Sequence, residues 1–215
     1  MEKKILIAVP CMDQVSARFT ACLATLNKVG NSALSLKTSS LIYDSRNSLA
    51  EQALKANADY VFWLDSDMVF EPDTLERLLA DDKDMVGALY FRRAVPFTPV
   101  IYSDYKGNIE DGLIWTPQKE YPQSLFEVAG IGFGCVLMKT DILFNMIAKF
   151  KDWFTPLGHS GEDLSFCYRA KELGYSIWCD PTIKMGHEAK MVITEEFYKM
   201  YKENADVSKS KNALF

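Results

Sequence analysis

The chain has 215 residues, enough for one domain with a sizeable core, and its 48% hydrophobic and 25% charged residues are ordinary for a globular protein. A net charge of −5 excludes nucleic acid as the main ligand, because no basic surplus exists to neutralise a phosphate backbone. An acidic chain that takes up a diphosphate instead needs a cation to bridge the like charges.

The five cysteines are odd in number and show no CxxC pair, which points to buried, reduced thiols and a cytoplasmic location. Residues 4–10 form a short apolar stretch before Asp13, so the amino terminus reads as a first strand and not as a signal peptide. No run of about twenty apolar residues is present, and no transmembrane segment is expected.

That first strand is closed by Pro10. A helical pattern follows, with Phe19, Cys22, Leu23 and Leu26 on one face and Gly30 past its end. Residues 33–37 form a second, shorter strand. Asp44 or Ser45 is placed to cap a helix whose inward face is Leu49, Ala50, Ala53 and Leu54. The unbroken apolar run at 60–64 predicts a buried strand. Pro72, Asp73 and Glu76 open a helix with Leu75, Leu78 and Leu79 inward, and residues 85–91 return to strand. This alternation argues for an α/β sheet that is largely parallel at its centre.

Residues 92–128 break the rhythm with four prolines and scattered aromatics, which predicts irregular loops with room for a hairpin. The glycine-rich stretch 130–134 leads into a strand at 135–138. A helix capped by Thr140 follows, with Ile142, Leu143, Met146 and Ile147 inward. Another helix opens at Glu162-Asp163 and ends at Gly174, and residues 175–179 form a last strand. Thr194 caps a terminal helix whose Phe197, Tyr198 and Tyr201 can pack on their own domain or on a second subunit, as in a homo-oligomer.

The residues that carry chemistry begin with Asp65-Ser66-Asp67. Two acids between apolar runs are costly to fold around unless something positive neutralises them. Hard oxygen ligands at the carboxyl end of a strand suit Mg²⁺ or Mn²⁺ carrying a phosphate-bearing substrate. Glu162 and Asp163 complement the dipole of the helix they open, worth about 0.3–1 kcal/mol, or act as a general base where that end faces a cleft. His187 lies in a loop after a strand, where ligands are often presented. His159, just before the Glu162 helix, either faces the same cleft or, the preferred reading, is an ordinary surface or packed residue. Arg46-Asn47, behind Asp44, can meet a phosphate or pair with Asp65. The glycines precede a strand, so they make no dinucleotide fingerprint. Gly132 and Gly134 then permit close backbone approach to a sugar, or mark a bulge, and Trp115 joins them as a sugar-binding candidate.

Together these segments resemble the GT-A glycosyltransferases, the family-2-like enzymes in particular. The resemblance runs from Ile5-Leu6-Ile7-Ala8-Val9-Pro10 through Leu64-Asp65-Ser66-Asp67, similar to a DxD motif. It continues through Gly161-Glu162-Asp163-Leu164 to the segment ending at His187. It implies a single GT-A (Rossmann-like) domain over 1–201, with a mixed, mainly parallel central sheet, helices on both faces, and a polar tail at 202–215. A nucleotide-binding half at 1–91 would precede an acceptor and catalytic half at 92–190. The implied activity is metal-dependent transfer of a hexose from a nucleotide-sugar donor to a hydroxyl acceptor, with inversion favoured over retention. The implied metal ligands are Asp67 and His187 on Mn²⁺ or Mg²⁺, with Asp65 reaching the metal's water shell or the donor's ribose. Pro10, Asp44, Arg46, Asn47 and Ser66 would border the donor. Asp163 would be the base, and Glu162 would orient the acceptor. No QxxRW-type motif follows, which speaks against a processive membrane synthase. A nucleotidyltransferase would carry a glycine- and lysine-rich loop after its first strand, which residues 10–18 lack. A non-catalytic sugar-nucleotide or carbohydrate-binding protein of the same fold would have no need of a base.

Overall fold

A computed structural model of the chain describes residues 2–109 and 112–203; the predicted tail beyond Glu203 lies outside the described residues. The first half runs β1 (Lys4–Cys11), α1 (Ala17–Thr25), β2 (Asn31–Thr38), α2 (Ile42–Lys55), β3 (Tyr60–Leu64), β4 (Met68–Phe70), α3 (Thr74–Ala80) and β5 (Met85–Ala88). The second half runs β6 (Ile101–Asn108), β7 (Gly112–Pro117), β8 (Phe126–Val128), β9 (Gly130–Ile131), β10 (Cys135–Lys139), α4 (Thr140–Phe150), α5 (Glu162–Glu172), β11 (Ile177–Asp180), β12 (Met185–His187) and α6 (Glu195–Glu203).

A seven-stranded sheet of order β2-β1-β3-β10-β5-β11-β8 forms the centre. β10 is antiparallel to both β3 and β5, so β5 and β11 run with β1, β2 and β3, and only β10 and β8 oppose them. The sheet is therefore mixed and mainly parallel. Side-chain alternation decides what covers each face. Leu6, Ala8, Val61 and Trp63 pack on one face against residues of α2, α4 and α5. Ile5, Ile7, Val9, Phe62 and Leu64 pack on the other against α1 and α3. Both faces are thus covered by helices, as expected.

Local chemistry explains several boundaries. Ser16 caps α1, its Oγ accepting from the Phe19 N–H at 2.9 Å. Asp44 and Ser45 do not cap α2. The chain already turns at Leu41, whose carbonyl accepts from both of their backbone N–H groups, so both residues lie within the first turn. Thr140 likewise is not a cap but the first residue of α4, buried, its N–H donated to the Asp59 carbonyl at 3.0 Å. β5 ends at Ala88, earlier than expected, and Phe91 instead bridges to Pro99.

Residues 92–128 are more ordered than their prolines suggest. β6 and β7 form an antiparallel hairpin that β9 extends to a three-stranded sheet. Its packing is aromatic: Tyr105 faces Trp115 across the strands with ring centroids 4.9 Å apart.

All five cysteines are free, and Cys11, Cys135, Cys167 and Cys179 are buried. Thr194 caps α6 through a 3.4 Å bond from the Phe197 N–H, while Tyr198 and Tyr201 on that helix are exposed. Among the described residues no helix is long and apolar enough to cross a membrane.

Candidate active site

Asp65-Ser66-Asp67 is a tight turn at the carboxyl end of β3. The Asp65 N–H donates to the Gly134 carbonyl at 3.0 Å, and the Asp65 carbonyl accepts from Met68 at 3.1 Å as β4 begins. The turn sends its two carboxylates to different partners, which divides the site in two.

Asp65 belongs to a cluster around Arg46. That arginine projects from the second turn of α2 and is only 1% exposed. Its Nη2 lies 2.9 Å from Asp65 Oδ1 and 3.5 Å from Asp163 Oδ1, and its Nε lies 3.6 Å from Glu162 Oε1. Aromatic rings enclose the guanidinium: its central carbon is 5.3 Å from the Phe133 ring centroid, 5.7 Å from Phe154 and 5.9 Å from Trp63. Burial opposes the Arg46 charge, but Asp65, Asp163 and Glu162 outweigh it and hold the guanidinium above its ordinary pKa. Burial also holds the Asp65 carboxyl above its usual value, against the pull of Arg46.

Asp163 sits in the first turn of α5. Its Oδ2 accepts from the Phe133 N–H at 3.1 Å, while its Oδ1 is buried with no hydrogen-bond partner, only the longer ionic contact to Arg46. Burial pushes its pKa up to about 7 despite Arg46, with Glu162 and Asp65 adding to the rise. A carboxylate titrating near neutrality, with one oxygen anchored and the other lacking a donor, has the properties of a general base.

Asp67 belongs to the second cluster. β12 pairs antiparallel with β4 and sets His187 opposite Met68, which brings two residues far apart in sequence to one turn. His187 Nε2 lies 3.4 Å from Asp67 Oδ2, and the same oxygen accepts a hydrogen bond from Arg93 Nη1. His187 Nδ1 is 2.9 Å from the Phe91 carbonyl. A carbonyl only accepts, so Nδ1 carries the hydrogen and, in the neutral ring, Nε2 keeps its lone pair. The hydrogen bond to Asp67 raises the His187 pKa, burial opposing it. At Asp67 burial pushes upward, but His187 and Arg93 outweigh it and hold the carboxyl below its ordinary value. Asp67, Ser66, Gln14, Ser16, Arg93 and Lys190 line a cavity of about 740 Å³, and His187 lines a smaller neighbouring one of about 340 Å³ that shares Arg93.

The donor set suits a divalent cation. Among the described residues no three His, Cys, Asp or Glu side chains form a metal-holding group. Asp67 and His187 nonetheless offer one hard oxygen and one imidazole nitrogen, a pair that fits Mn²⁺ or Mg²⁺ when phosphate oxygens and water fill the other positions. The Nδ1–carbonyl contact is the kind of bond that orients a metal-binding histidine. Asp65 is turned toward Arg46 instead.

The remaining expected residues fall in different places. Ser66 lines the cavity. Pro10 is buried within β1, opposite Lys37, and Asp44 is exposed on α2. Arg46 meets the Asp65 carboxylate and is too deeply buried to border a nucleotide. Asn47 braces residues 152–155, its Oδ1 accepting from the Phe154 N–H at 2.9 Å and its Nδ2 lying 3.4 Å from both Asp152 Oδ1 and Thr155 Oγ1. That loop carries Phe154 into the cage around Arg46.

Gly132 and Gly134 are needed for a reason other than sugar approach. A Cβ at Gly132 would lie 2.1 Å from the Tyr90 hydroxyl, and one at Gly134 would lie 2.8 Å from Tyr90 Cζ. The glycines make room for a buried tyrosine, whose oxygen accepts from the Gly134 N–H at 3.3 Å. Trp115 is engaged too, donating from Nε1 to Ser160 Oγ at 3.2 Å, just before α5. His159 is exposed.

Sequence reasoning missed Arg93 and Tyr90. Both lie in or beside the proline-containing stretch read as loop, and neither carries a motif.

The model of the family Anp1 matches residues 37–109, a span that includes Arg46, the acidic triplet and Arg93. None of the curated proteins matches the chain. Among solved structures the chain is similar to A197 from STIV, with a TM-score of 0.63, 18% identity, and coverage of 87% of this chain and 86% of that one. It is similar to GalNAc-T7 with UDP, GalNAc and Mn²⁺, with a TM-score of 0.57 and 10% identity over 89% of this chain, which spans 44% of the GalNAc-T7 chain. It is also similar to S. aureus TarS 1–349 in complex with UDP-GlcNAc, with a TM-score of 0.51 and 16% identity over 100% of this chain and 68% of that one. The fold is that of the GT-A glycosyltransferases.

Proposed function

We propose that this GT-A domain is a metal-dependent glycosyltransferase that moves a sugar from a nucleotide-sugar donor to a hydroxyl acceptor. The observation that carries the reading is the division of the acidic turn. Asp67, which lines a cavity of about 740 Å³, meets His187, while Asp65 joins Arg46 and Asp163. The Anp1 match, to a GT-A-like glycosyltransferase family, and the UDP and UDP-GlcNAc held by the two similar enzymes support it.

Asp67 and His187 would hold Mn²⁺ or Mg²⁺, which when bound neutralises a leaving diphosphate as a Lewis acid. Ser66 and Arg93 border the donor's phosphates, and Asp65, held by Arg46, faces its ribose. Asp163 takes the proton of the acceptor hydroxyl as the acceptor oxygen bonds to the anomeric carbon and the bond to the diphosphate breaks. The sugar is a hexose and its anomeric centre inverts, since the base then lies across the sugar from the leaving group. Glu162 orients the acceptor. In this reading Arg93 and residues 188–190, which line the same cavity as Ser66 and Asp67, join residues of the 1–91 half around the donor.

A thermal-shift panel of nucleotide sugars with and without Mn²⁺ tests the proposal. One donor raises the melting temperature only with the metal, and Asp67→Ala abolishes the rise. Equal, metal-independent stabilisation of wild type and variant would refute the metal assignment. Release of nucleoside diphosphate, and not pyrophosphate, separates sugar transfer from nucleotidyl transfer. Absence of slow donor hydrolysis across the panel would favour a non-catalytic binder.

A further inference from the structure

Two cations claim one oxygen of the acidic turn. Asp67 Oδ2 accepts from Arg93 Nη1 and lies 3.4 Å from His187 Nε2, the lone-pair nitrogen of the neutral ring. A divalent cation held by Asp67 and His187 needs that oxygen and that nitrogen, so Arg93 stands where the metal's charge would be. The Arg93 side chain is 57% exposed on the loop between β5 and β6, so it can leave at little packing cost. It also faces both ways, lining the donor cavity with Ser66 and Asp67 and a second cavity of about 340 Å³ with Tyr90, Arg92 and His187.

We propose that Arg93 is a resident counter-cation of the donor site. It neutralises Asp67 while no divalent metal is bound, and is displaced onto the diphosphate when metal and donor arrive together. The inference rests on the metal-dependent reading above and adds to it a residue and an order of binding. A guanidinium presents a planar fork of donors that matches phosphate oxygens, so its release is compensated only when a diphosphate is present. Metal alone must displace Arg93 without that compensation and binds weakly. Metal with diphosphate gives each positive group a partner and binds cooperatively, in the reciprocal sense required of linked sites.

The magnitude follows from exposure. An exposed ion pair is worth about 0.2–1 kcal/mol, so removing the competitor tightens metal binding by up to about fivefold. The test is titration of Mn²⁺, read by its electron paramagnetic resonance signal, into the full chain and its Arg93→Gln variant, with and without inorganic pyrophosphate. Arg93→Gln is expected to bind Mn²⁺ alone up to about fivefold more tightly than wild type. It is also expected to lose most of the tightening that pyrophosphate produces in wild type. Arg93→Lys keeps the charge and stays near wild type for Mn²⁺ alone, but shows a reduced pyrophosphate effect because it lacks the fork. Unchanged or weaker Mn²⁺ binding in Arg93→Gln overturns the inference and leaves the metal-dependent reading intact. Absence of Mn²⁺ binding in both proteins, with and without pyrophosphate, overturns the two together.

Discussion

Arg46→Met is the most demanding test of the site's electrostatics. The substitution keeps an apolar stem among Phe133, Phe154 and Trp63 and removes the charge shared by Asp65, Glu162 and Asp163. At the 3.5 Å separation from Asp163, one ion pair is worth roughly 5 kcal/mol at an effective dielectric of about 20. Relief of the cost of burying the guanidinium offsets part of the three contacts, and the loss expected for breaking such a group is about 3–5 kcal/mol. For a chain of this size that corresponds to a melting temperature lower by roughly 10 °C.

The sign of the pH dependence is fixed by the same contacts. Without Arg46 the carboxylates repel one another, and the folded-state pKa values of Asp65 and Asp163, already raised, rise further above the unfolded ones. The folded variant then binds more protons than the unfolded chain, so its stability falls as pH rises through that window. Urea unfolding at pH 8 and pH 5.5 is the assay. The deficit is largest at pH 8 and shrinks at pH 5.5, and Asp163→Asn in the variant background restores at least ~1 kcal/mol at pH 8. A deficit below about 1 kcal/mol, or one equal at both pH values, would refute the reasoning.

Other outcomes follow from the same structure. Asp163→Asn lowers transfer by about 10²–10⁴-fold with donor binding retained, and removes a rise in wild-type kcat/KM centred on the Asp163 pKa of about 7. Because folding raises that pKa, Asp163 contributes stability at low pH that is lost as pH rises from its unfolded value of about 4 to about 7; urea unfolding of Asp163→Asn shows a flatter slope there. Gly132→Ala drives a methyl group against the Tyr90 hydroxyl and costs about 1–3 kcal/mol in chemical denaturation; Tyr90→Phe in the same chain recovers part of it. Asn47→Ala leaves the Phe154 N–H unpaired and costs about 1–3 kcal/mol, with faster hydrogen exchange confined first to residues 152–155.

The glycines illustrate where reasoning from sequence stops. Gly132 and Gly134 were legible as places of close approach, but what approaches is Tyr90, which lies some forty residues earlier in the chain. Trp115 was legible as an aromatic in a polar segment, and only the β6–β7 hairpin shows its ring engaged with Tyr105 and Ser160. Arg46 was correctly linked to Asp65, yet its burial under three aromatic rings depends on α2, β3, the 130–134 stretch and the 152–155 loop packing together. Arg93 carried no local sign at all.

The helices, the strands β1, β2, β3, β5, β10 and β11, and the acidic turn at the end of β3 were written in local patterning: apolar periodicity and two carboxylates between apolar runs, each the property of a few neighbouring residues. The division of that turn was not. Whether a carboxylate meets Arg46 or His187 depends on the packing of α2 beside the end of β3 and on the β4–β12 pairing, which joins segments more than a hundred residues apart. One aspartate became the partner of a buried arginine and a candidate base. The other became the partner of a histidine and an exposed arginine, because tertiary contacts set which charges face each other across the cleft.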